Sequence, residues 1–153
     1  MSSPTTAAVD SLALDRQVCF ALAVASRTVI SVYRPVLDAL GLTHPQYLVM
    51  LALWEKSPRT VRDISHALML EPATLSPLLK RLESTGMLTR TKSIADERAL
   101  DVALTPAGRD LRAEAEKVPG TIVEKLGMDV AELEQTRDAL TRMIAAATAA
   151  TAG

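Results

Sequence analysis

Two groups of residues in this chain have side chains that could carry chemistry: one cysteine, and a polar and basic set in the middle of the sequence. Cys19 is the single cysteine among 153 residues. A thiolate is the form of cysteine that reacts with peroxides, although free cysteine is also among the residue types most often buried and inert. Arg16, three residues earlier, is the one cation close in sequence that could stabilise a thiolate. Cys19 is therefore a candidate redox centre whose activation has to come from elsewhere in the fold.

The second group lies on a predicted helix and in the turn of the hairpin that follows it. Hydroxyl side chains near a helix start, with Lys and Arg further along, are typical of a helix that contacts DNA bases and phosphates. An arginine at the tip of a thin hairpin can enter a minor groove, and an aspartate beside it can hold it or the hairpin backbone in place. The residues concerned are Thr74, Ser76, Lys80, Arg81, Asp96 and Arg98. They predict a nucleic-acid interface, against the alternative of an ordinary charged surface.

The composition limits the class of protein. Hydrophobic residues make up 48% of the chain, with six Gly and eight Pro, which is typical of one ordinary domain with a core. One cysteine and two histidines exclude a disulfide scaffold and a Cys/His zinc site, so no metal or cofactor is expected. The net charge is -1, yet the segment from Lys56 to Arg98 contains eight Lys and Arg and only five Asp and Glu. The positive excess is thus local to the predicted interface.

Membrane and export signals are weak in this sequence. No stretch approaches the roughly 18 consecutive apolar residues of a membrane span. The segment Met1–Thr6 lacks the basic start and apolar run of a signal peptide. We expect a cytoplasmic protein without a membrane partner.

The first predicted helix is long and apolar. From Ser11 to Val32 apolar residues recur densely and only a narrow side is polar. A chain of this size has little use for a helix buried around much of its circumference, so pairing with a second copy is predicted. Pro35 is expected to break or kink the chain, and Gly41 to cap a short helix that follows.

The middle of the chain contains three predicted helices. Thr43 precedes a proline and a capping-box glutamine, and its helix is expected to end at Ser57-Pro58. Thr60 caps a short second helix. The third begins at Pro72, carries its leucines on one face and ends before Gly86.

A hairpin and two further helices complete the pattern. Strands are predicted over residues 87–92 and 100–104, joined by the polar run 93–98. Thr105-Pro106 starts a helix that should continue to about Val118, where Pro119-Gly120 interrupts it. Asp129 opens a last helix, and the alanine-rich tail from Ala145 is expected to fray.

This order predicts a mainly α fold with a small β-hairpin: a winged helix-turn-helix, dimeric through its N- and C-terminal helices. Within one continuous domain, residues 11–42 are assigned to N-terminal dimerisation helices and residues 43–105 to the DNA-binding lobe. Residues 106–150 are assigned to C-terminal dimerisation helices. No enzyme activity and no catalytic residue are expected.

The segments Leu75–Arg90, Asp96–Arg98 and Leu104–Gly108 together resemble the multiple-antibiotic-resistance regulator (MarR) family. The resemblance implies a triangular homodimer whose two winged lobes straddle a palindromic operator in double-stranded DNA. It also implies that Asp96 supports the wing and that Arg98 reads the minor groove.

The N-terminal half resembles the organic-hydroperoxide-sensing (OhrR-like) branch of that family, and the likeness covers roughly residues 15 to 125. The segments that carry it are Val18–Leu22, Ala25–Arg27, Tyr33–Pro35, Leu40–Thr43, Pro45–Val49 and Leu53–Glu55. In that branch a cysteine near the start of the first helix is oxidised by organic peroxides, tyrosines hydrogen-bond its sulfur, and the repressor then releases a peroxidase gene. The resemblance implies that Cys19 is the sensor and that Tyr33 is one of the tyrosines.

Two features of this chain bear on how the implied sensor site would be built. Cys19 and Tyr33 are fourteen residues apart, or about 21 Å along one straight helix, so Tyr33 is expected to reach Cys19 of the partner subunit. The branch usually has its second tyrosine where this chain has His44. A histidine could donate to the thiolate and, if protonated, favour it by charge; the alternative is a partly exposed histidine in a first helical turn.

With no second cysteine, a sulfenic acid at Cys19 would condense with a low-molecular-weight thiol, react with a backbone nitrogen or overoxidise. The leading interpretation is a repressor with an organic hydroperoxide as inducer. Three alternatives stay open: a regulator of the same fold that binds a small aromatic or phenolic ligand, with Cys19 structural; a one-cysteine peroxidase; and a winged helix that binds protein.

Overall fold

The computed structural model describes residues 10–152, and the expectation about Met1–Thr6 lies outside that range. The helices are α1 (Val18–Asp38), α2 (His44–Glu55), α3 (Val61–Leu68), α4 (Pro72–Ser84), α5 (Pro106–Ala115), α6 (Val118–Leu126) and α7 (Val130–Thr151). The strands are β1 (Arg59–Thr60), β2 (Leu88–Lys92) and β3 (Leu100–Leu104). The mainly helical winged fold predicted from the sequence is confirmed.

The first helix differs from its prediction at both ends. A single 3-10 turn over Leu14–Arg16 precedes α1, which begins only at Val18 and continues through Pro35 to Asp38. Of the predicted break or kink at Pro35, the break is wrong because a proline inside a helix removes only one bond, here to the carbonyl of solvent-exposed Ser31, which water can satisfy. The expected short second helix is the last turn of α1. Gly41, at φ 73°, has the left-handed backbone of the predicted helix cap, and the Leu42 N–H after it donates to the Leu37 carbonyl.

The core lies where α2, α3, α4 and the sheet meet. Helix α2 starts at the predicted capping box, in which Thr43 and Gln46 satisfy each other's backbone N–H groups. Its side chains are buried on most sides because the other elements of the lobe surround it. The central buried residues are Leu37, Met50, Leu53, Ile64, Leu75, Leu79, Leu82, Leu88 and Val102.

The sheet has three antiparallel strands in the order β1, β3, β2. The predicted hairpin is present, with Arg90 opposite Val102. Strand β1 was not predicted because two residues, Arg59 and Thr60, are too few to show an alternating pattern. It pairs Arg59 with Val102 and Thr60 with Asp101, and so joins the start of α3 to the hairpin.

Two expectations for the C-terminal part were wrong. Pro119 and Gly120 do not end a helix; they lie in the first turn of α6, where a proline loses no helical hydrogen bond. The preceding helix α5 ends earlier, at Ala115. Helix α7 continues to Thr151 rather than fraying from Ala145, because alanine has the highest helix propensity and Thr148 donates to the Ile144 carbonyl.

The two long helices α1 and α7 present apolar side chains to solvent. Helix α7 buries none of its residues and α1 buries only Leu37. Of the helices in the described residues, α1 alone is long and apolar enough to meet a length-and-composition test for a membrane span, a test that core helices of soluble proteins also pass. The exposed apolar residues are Val18, Phe20, Leu22, Val29, Val130, Leu140, Met143 and Ile144.

Candidate functional site

The predicted DNA-contacting helix α4 separates its residues cleanly between two faces. Leu75 and Leu79 are fully buried and Leu82 is 1% exposed, so this face fixes the helix on the core. The opposite face exposes the four predicted residues: Thr74, Ser76, Lys80 and Arg81. The hydroxyls of Thr74 and Ser76 lie in the first turns, and the two cations lie one to two turns further along.

The turn between α3 and α4 sets the angle of that face. Thr60 caps α3 by accepting a hydrogen bond of 3.0 Å from the Asp63 backbone N–H, as predicted. After Leu68 the chain turns at Met69, a non-glycine residue with φ 54°, and the Leu70 N–H donates to the Ser65 carbonyl at 3.0 Å. This closed turn delivers Pro72 as the first residue of α4.

The hairpin tip is organised by Asp96. Its carboxylate accepts from the Arg98 backbone N–H at 3.0 Å, and its carbonyl accepts from the Ala99 N–H at 3.0 Å. Below the tip, Ser93 is buried and its N–H donates to the Ala99 carbonyl. Asp96 therefore holds the backbone of the tip, while the Arg98 guanidinium is exposed and forms no ion pair among residues 10–152.

Sequence reasoning missed the residue that joins hairpin and α4. Glu83 accepts both from the Arg90 backbone N–H at 3.0 Å and from its guanidinium at 3.1 Å. These two hydrogen bonds, with the charge of Arg90, lower the pKa of Glu83. The pair fixes β2 to the end of α4. The sequence contains no local pattern that predicts this ion pair, because Glu83 and Arg90 are seven residues apart and separated by a turn.

The lowered pKa of Glu83 predicts a pH dependence. Because the unfolded carboxyl binds protons more readily, Glu83 contributes stability above its ordinary pKa of 4.5, and that stability is lost as the pH falls through and below this value. We expect Glu83→Gln to be less stable than the wild type at neutral pH and to lose less stability on acidification. Urea unfolding at about pH 7 and about pH 4 checks this. Glu124→Gln, on the exposed side of α6, is the control; equal pH sensitivity of Glu83→Gln and the wild type would contradict the pairing.

The start of α5 explains the Leu104–Gly108 segment. The Thr105 side chain accepts from the Gly108 N–H at 3.0 Å and donates to the Gly86 carbonyl at 2.6 Å. Gly108 lies so close to the residue before β2 that a Cβ there would be 2.1 Å from the carbonyl oxygen of Met87. The segment is thus a helix cap combined with a close backbone contact.

The candidate redox residue, Cys19, lies at the start of α1. It is the second residue of the helix and is exposed in the single chain. Tyr33 lies fourteen residues later in the same helix, so the two are about 21 Å apart along the axis and do not meet within one chain. Arg16 is in the 3-10 turn just before α1.

Tyr33 and His44, by contrast, are brought together. Their ring centroids are 5.7 Å apart in an edge-to-face arrangement, and Tyr47, one helical turn beyond His44, is 6.4 Å from Tyr33. We call Tyr33, His44 and Tyr47 the aromatic cluster. Tyr47 was not predicted as a site residue, although its spacing of three from His44 places both on one side of α2.

Burial decides the protonation of this cluster. It lowers the pKa of His44, so the imidazole is neutral near neutral pH and offers hydrogen bonding rather than positive charge. Burial, and then the neighbouring Tyr33, raise the pKa of Tyr47, which keeps its phenol protonated. His44 and Tyr47 therefore offer an imidazole and a phenol to the cluster without a net charge.

A groove of about 410 Å³ lies next to the aromatic cluster. Tyr47, Leu51 and Trp54 of α2 form one side, and Arg112 and Ala115 of α5 form the other. Trp54 is fixed by donating its indole N–H to the Gly108 carbonyl at 2.9 Å. Among residues 10–152 no group of His, Cys, Asp or Glu is arranged to hold a metal ion.

Comparison with known proteins gives one consistent result. The transcriptional regulator SarA/Rot family matches residues 31–115. An organic hydroperoxide resistance transcriptional regulator of Bacillus subtilis (strain 168) is 40% identical over 131 residues, 86% of this chain and 89% of that protein.

Solved structures agree with the sequence matches. Reduced AbfR bound to DNA, a protein of Staphylococcus epidermidis, has a TM-score of 0.72 at 32% identity, covering 88% of this chain and 94% of that one. Bordetella bronchiseptica BpsR, whose DNA binding is regulated by 6-hydroxynicotinic acid, has a TM-score of 0.76 at 26% identity, covering 84% and 94%. The protein therefore belongs to the MarR and SarA type of winged helix-turn-helix transcription regulators, in the organic-hydroperoxide-resistance branch, and not to a family of enzymes.

Proposed function

We propose that this regulator is a cytoplasmic, dimeric repressor that senses organic hydroperoxides by oxidation of Cys19 and then releases a palindromic operator. The observation that carries the proposal is the division of the sensor residues between the two ends of α1. Cys19 is exposed at one end, and the aromatic cluster forms around Tyr33 near the other. A sensor site assembled from two subunits would account for the exposed cysteine at one end of α1 and for the aromatic cluster near the other end.

The spacing along α1 supports such an assembly. In a two-fold pair of antiparallel helices that cross at residue 26, position 19 of one helix lies opposite position 33 of the other, because both are seven residues from the crossing. Ser26 and Ala23 are small and exposed near that point, which permits a close approach. Cys19 would then lie beside Tyr33 and His44 of the partner subunit, both able to hydrogen-bond its sulfur.

The exposed apolar surfaces supply the reason for pairing. In the proposed arrangement residues 11–42 and 106–150 cover one another between subunits, and residues 43–105 form the DNA-binding lobe. Burial of apolar side chains on α1 and α7 drives the association. This pairing also covers the apolar surface of α1 without a membrane.

The exposed faces of α4 and the hairpin support the DNA-binding part of the proposal. Thr74 and Ser76 would contact base edges in the major groove, and Lys80 and Arg81 would contact phosphates. Arg98 would enter the adjacent minor groove on a tip braced by Asp96.

The sensing reaction needs only Cys19 and the peroxide. The thiolate sulfur attacks the terminal peroxide oxygen, the O–O bond breaks, and sulfur keeps the hydroxyl as a sulfenic acid. The alkoxide takes a proton from solvent and leaves as an alcohol, so sulfur loses two electrons and the peroxide gains them. A low-molecular-weight thiol would then form a mixed disulfide and release water. The added group would displace Tyr33 and reorient the two lobes, which changes their spacing on DNA.

Mass spectrometry of the protein after treatment with cumene hydroperoxide and then with a small thiol, in parallel with operator binding, tests the proposal. We expect one oxygen, and then one thiol adduct, at Cys19, with release from the protein's own promoter region in proportion to modification. Consumption of peroxide should be stoichiometric rather than catalytic. Release of DNA while Cys19 stays unmodified would sink the proposal.

A second candidate function has a specific observation in its favour. The 410 Å³ groove beside Tyr47 has aromatic and apolar walls, is also lined by Glu55, and holds the ion pair of Arg112 with Glu116 at 3.4 Å, which suits a small aromatic or phenolic ligand. The similarity to BpsR agrees with such an effector. In this alternative Cys19 is structural, and salicylate-like compounds rather than peroxides release the operator.

A further inference from the structure

The large apolar side chains that the fold leaves exposed lie mainly near the N-terminus, on α1 and on α7, and one of them stands apart. Ile94, in the tip of the hairpin, is 103% exposed, more than any other large hydrophobic residue among residues 10–152. The strands that carry the tip pack against α3, α4 and α5, so Ile94 belongs to the DNA-binding lobe and not to the apolar surface of α1 and α7. Pairing through α1 and α7 would therefore leave its exposure unexplained.

The backbone on both sides of Ile94 is held in place by its neighbour Ser93. The Ser93 N–H donates to the Ala99 carbonyl at 3.0 Å, and the Ser93 hydroxyl accepts from the Ala95 N–H at 3.3 Å. The second of these hydrogen bonds spans Ile94. The isoleucine side chain is itself stiff because it is branched at Cβ. The tip therefore presents an apolar side chain that is already ordered, which lowers the entropic cost of using it in binding.

Ile94 lies close to the residue that is assigned to the minor groove. Ile94 and Arg98 are each one residue from the hydrogen bond between Ser93 and Ala99, on the two arms of the tip. Both side chains are exposed. A contact of Arg98 with a minor groove would therefore bring Ile94 to the same groove.

Charge alone does not favour a DNA contact at this tip. Residues 93–98 contain one cation, Arg98, and two carboxylates, Asp96 and Glu97. Asp96 is bound to the backbone of the tip, but Glu97 is exposed. An apolar contact does not depend on this balance of charge, because it gains its free energy from the apolar surface that it removes from water.

We propose that Ile94 enters the minor groove beside Arg98 as an apolar wedge, and that it makes the regulator prefer operators with a flexible base step at the position of each wing. An apolar side chain inserted between base pairs unstacks the step and kinks the duplex. The pyrimidine–purine steps TA and CA/TG unstack most readily, so the energy of insertion depends on sequence although Ile94 forms no hydrogen bond with a base. The inference rests on the proposed DNA-binding function and adds to it a residue that determines specificity.

The first measurement is fluorescence anisotropy with the full-length, reduced protein and a duplex of its own promoter region, over a series of salt concentrations. We expect Ile94→Ser to weaken binding about tenfold without a change in the salt slope, because the variant loses apolar contact but no charge. Ile94→Leu is the matched control and should bind within about twofold of the wild type, since leucine is also an apolar wedge. Arg98→Gln should weaken binding and lower the salt slope, because it removes a cation.

The second measurement is selection of bound DNA from a pool of random-sequence duplexes, followed by sequencing. The wild type should enrich TA or CA/TG steps at two symmetric positions outside the bases that α4 selects. Ile94→Ser should select the same bases through α4 and lose the enrichment of those steps. Ile94→Leu should keep both.

The inference is overturned if the wild type enriches no such steps, or if Ile94→Ser keeps the affinity of the wild type. Equal losses of affinity in Ile94→Ser and Ile94→Leu, or a lower salt slope in Ile94→Ser, would also overturn it, because neither result fits an apolar wedge. If the wild type bound neither the promoter duplex nor any duplex of the pool, the DNA-binding function itself would be wrong. Ile94 is fully exposed, so its replacement should leave the fold intact, which circular dichroism of each variant verifies.

Discussion

Cys19→Ser is expected to bind operator DNA as the wild type does and to remain bound when an organic hydroperoxide is added. Cys19 is exposed in the single chain, and an oxygen replaces its sulfur without a change in the number of side-chain atoms, so helix α1 should be undisturbed. A serine hydroxyl is not oxidised by peroxide and cannot form a mixed disulfide. In the wild type we expect peroxide to weaken operator binding on the order of tenfold or more, which is within the usual range of coupling energies. In the variant we expect no change.

The measurement is a titration of promoter DNA with each protein, before and after cumene hydroperoxide and a small thiol. Because the chain has one cysteine, thiol reagents should count one reactive group per wild-type chain and none in the variant, so no other sulfhydryl confuses the result. Asp38→Asn, exposed at the end of the same helix and far from the proposed crossing, is a control for disturbance of α1. If Cys19→Ser released DNA in response to peroxide as the wild type does, Cys19 would have no sensing role. The alternative of a small aromatic or phenolic ligand would then remain.

Gly108→Ala is expected to destabilise the fold by about 2–3 kcal/mol, although alanine is the better helix former by about 1 kcal/mol. The new Cβ would be 2.1 Å from the Met87 carbonyl oxygen and 3.2 Å from the Leu104 side chain. The nearest obstacle is backbone, so α5 would have to move away from Met87. That movement would also stretch the bond of 2.9 Å between the Trp54 indole and the Gly108 carbonyl.

Urea unfolding at a fixed protein concentration measures this loss of stability, since the stability of the proposed dimer would depend on concentration. Gly120→Ala is the matched control: this glycine also lies in a helix, but no atom of residues 10–152 that could obstruct its Cβ is within 4 Å of that position. The control should gain about 0.5–1 kcal/mol from helix propensity. Opposite changes in the free energy of unfolding for the two variants would establish the close contact, whereas equal stabilisation of both would contradict the close approach of Gly108 to Met87.

The same contact bears on how a signal would reach the DNA-binding lobe. Helix α5 is tied to the hairpin through Thr105 and Gly108, and α6 then packs against α1, which carries Cys19 and Tyr33. In the proposed mechanism, a displacement of α1 near Cys19 would reach the wing through these packed elements. All of these contacts lie within one chain. The change in spacing between the two DNA-binding lobes of a dimer belongs to the proposed function.

The sequence alone determined those features that depend on neighbouring residues. Thr43, Thr60 and Thr105 were recognised as helix starts because a cap needs only a side-chain oxygen and the N–H groups that follow it. The buried face of α4 was evident from the leucine spacing, and the four polar residues opposite it were identified by the same periodicity.

Only the tertiary structure decided which distant residues meet. Tyr33 and His44 are eleven residues apart, and they form one cluster with Tyr47 because the chain reverses at Gly41 and folds α2 back against α1. Glu83 and Arg90 are joined because β2 returns along α4. The protonation of His44 followed from burial, which no local pattern reveals. Caps and periodic faces arise from interactions within a few residues, while clusters, buried pKa values and close backbone contacts depend on the packing of the whole chain.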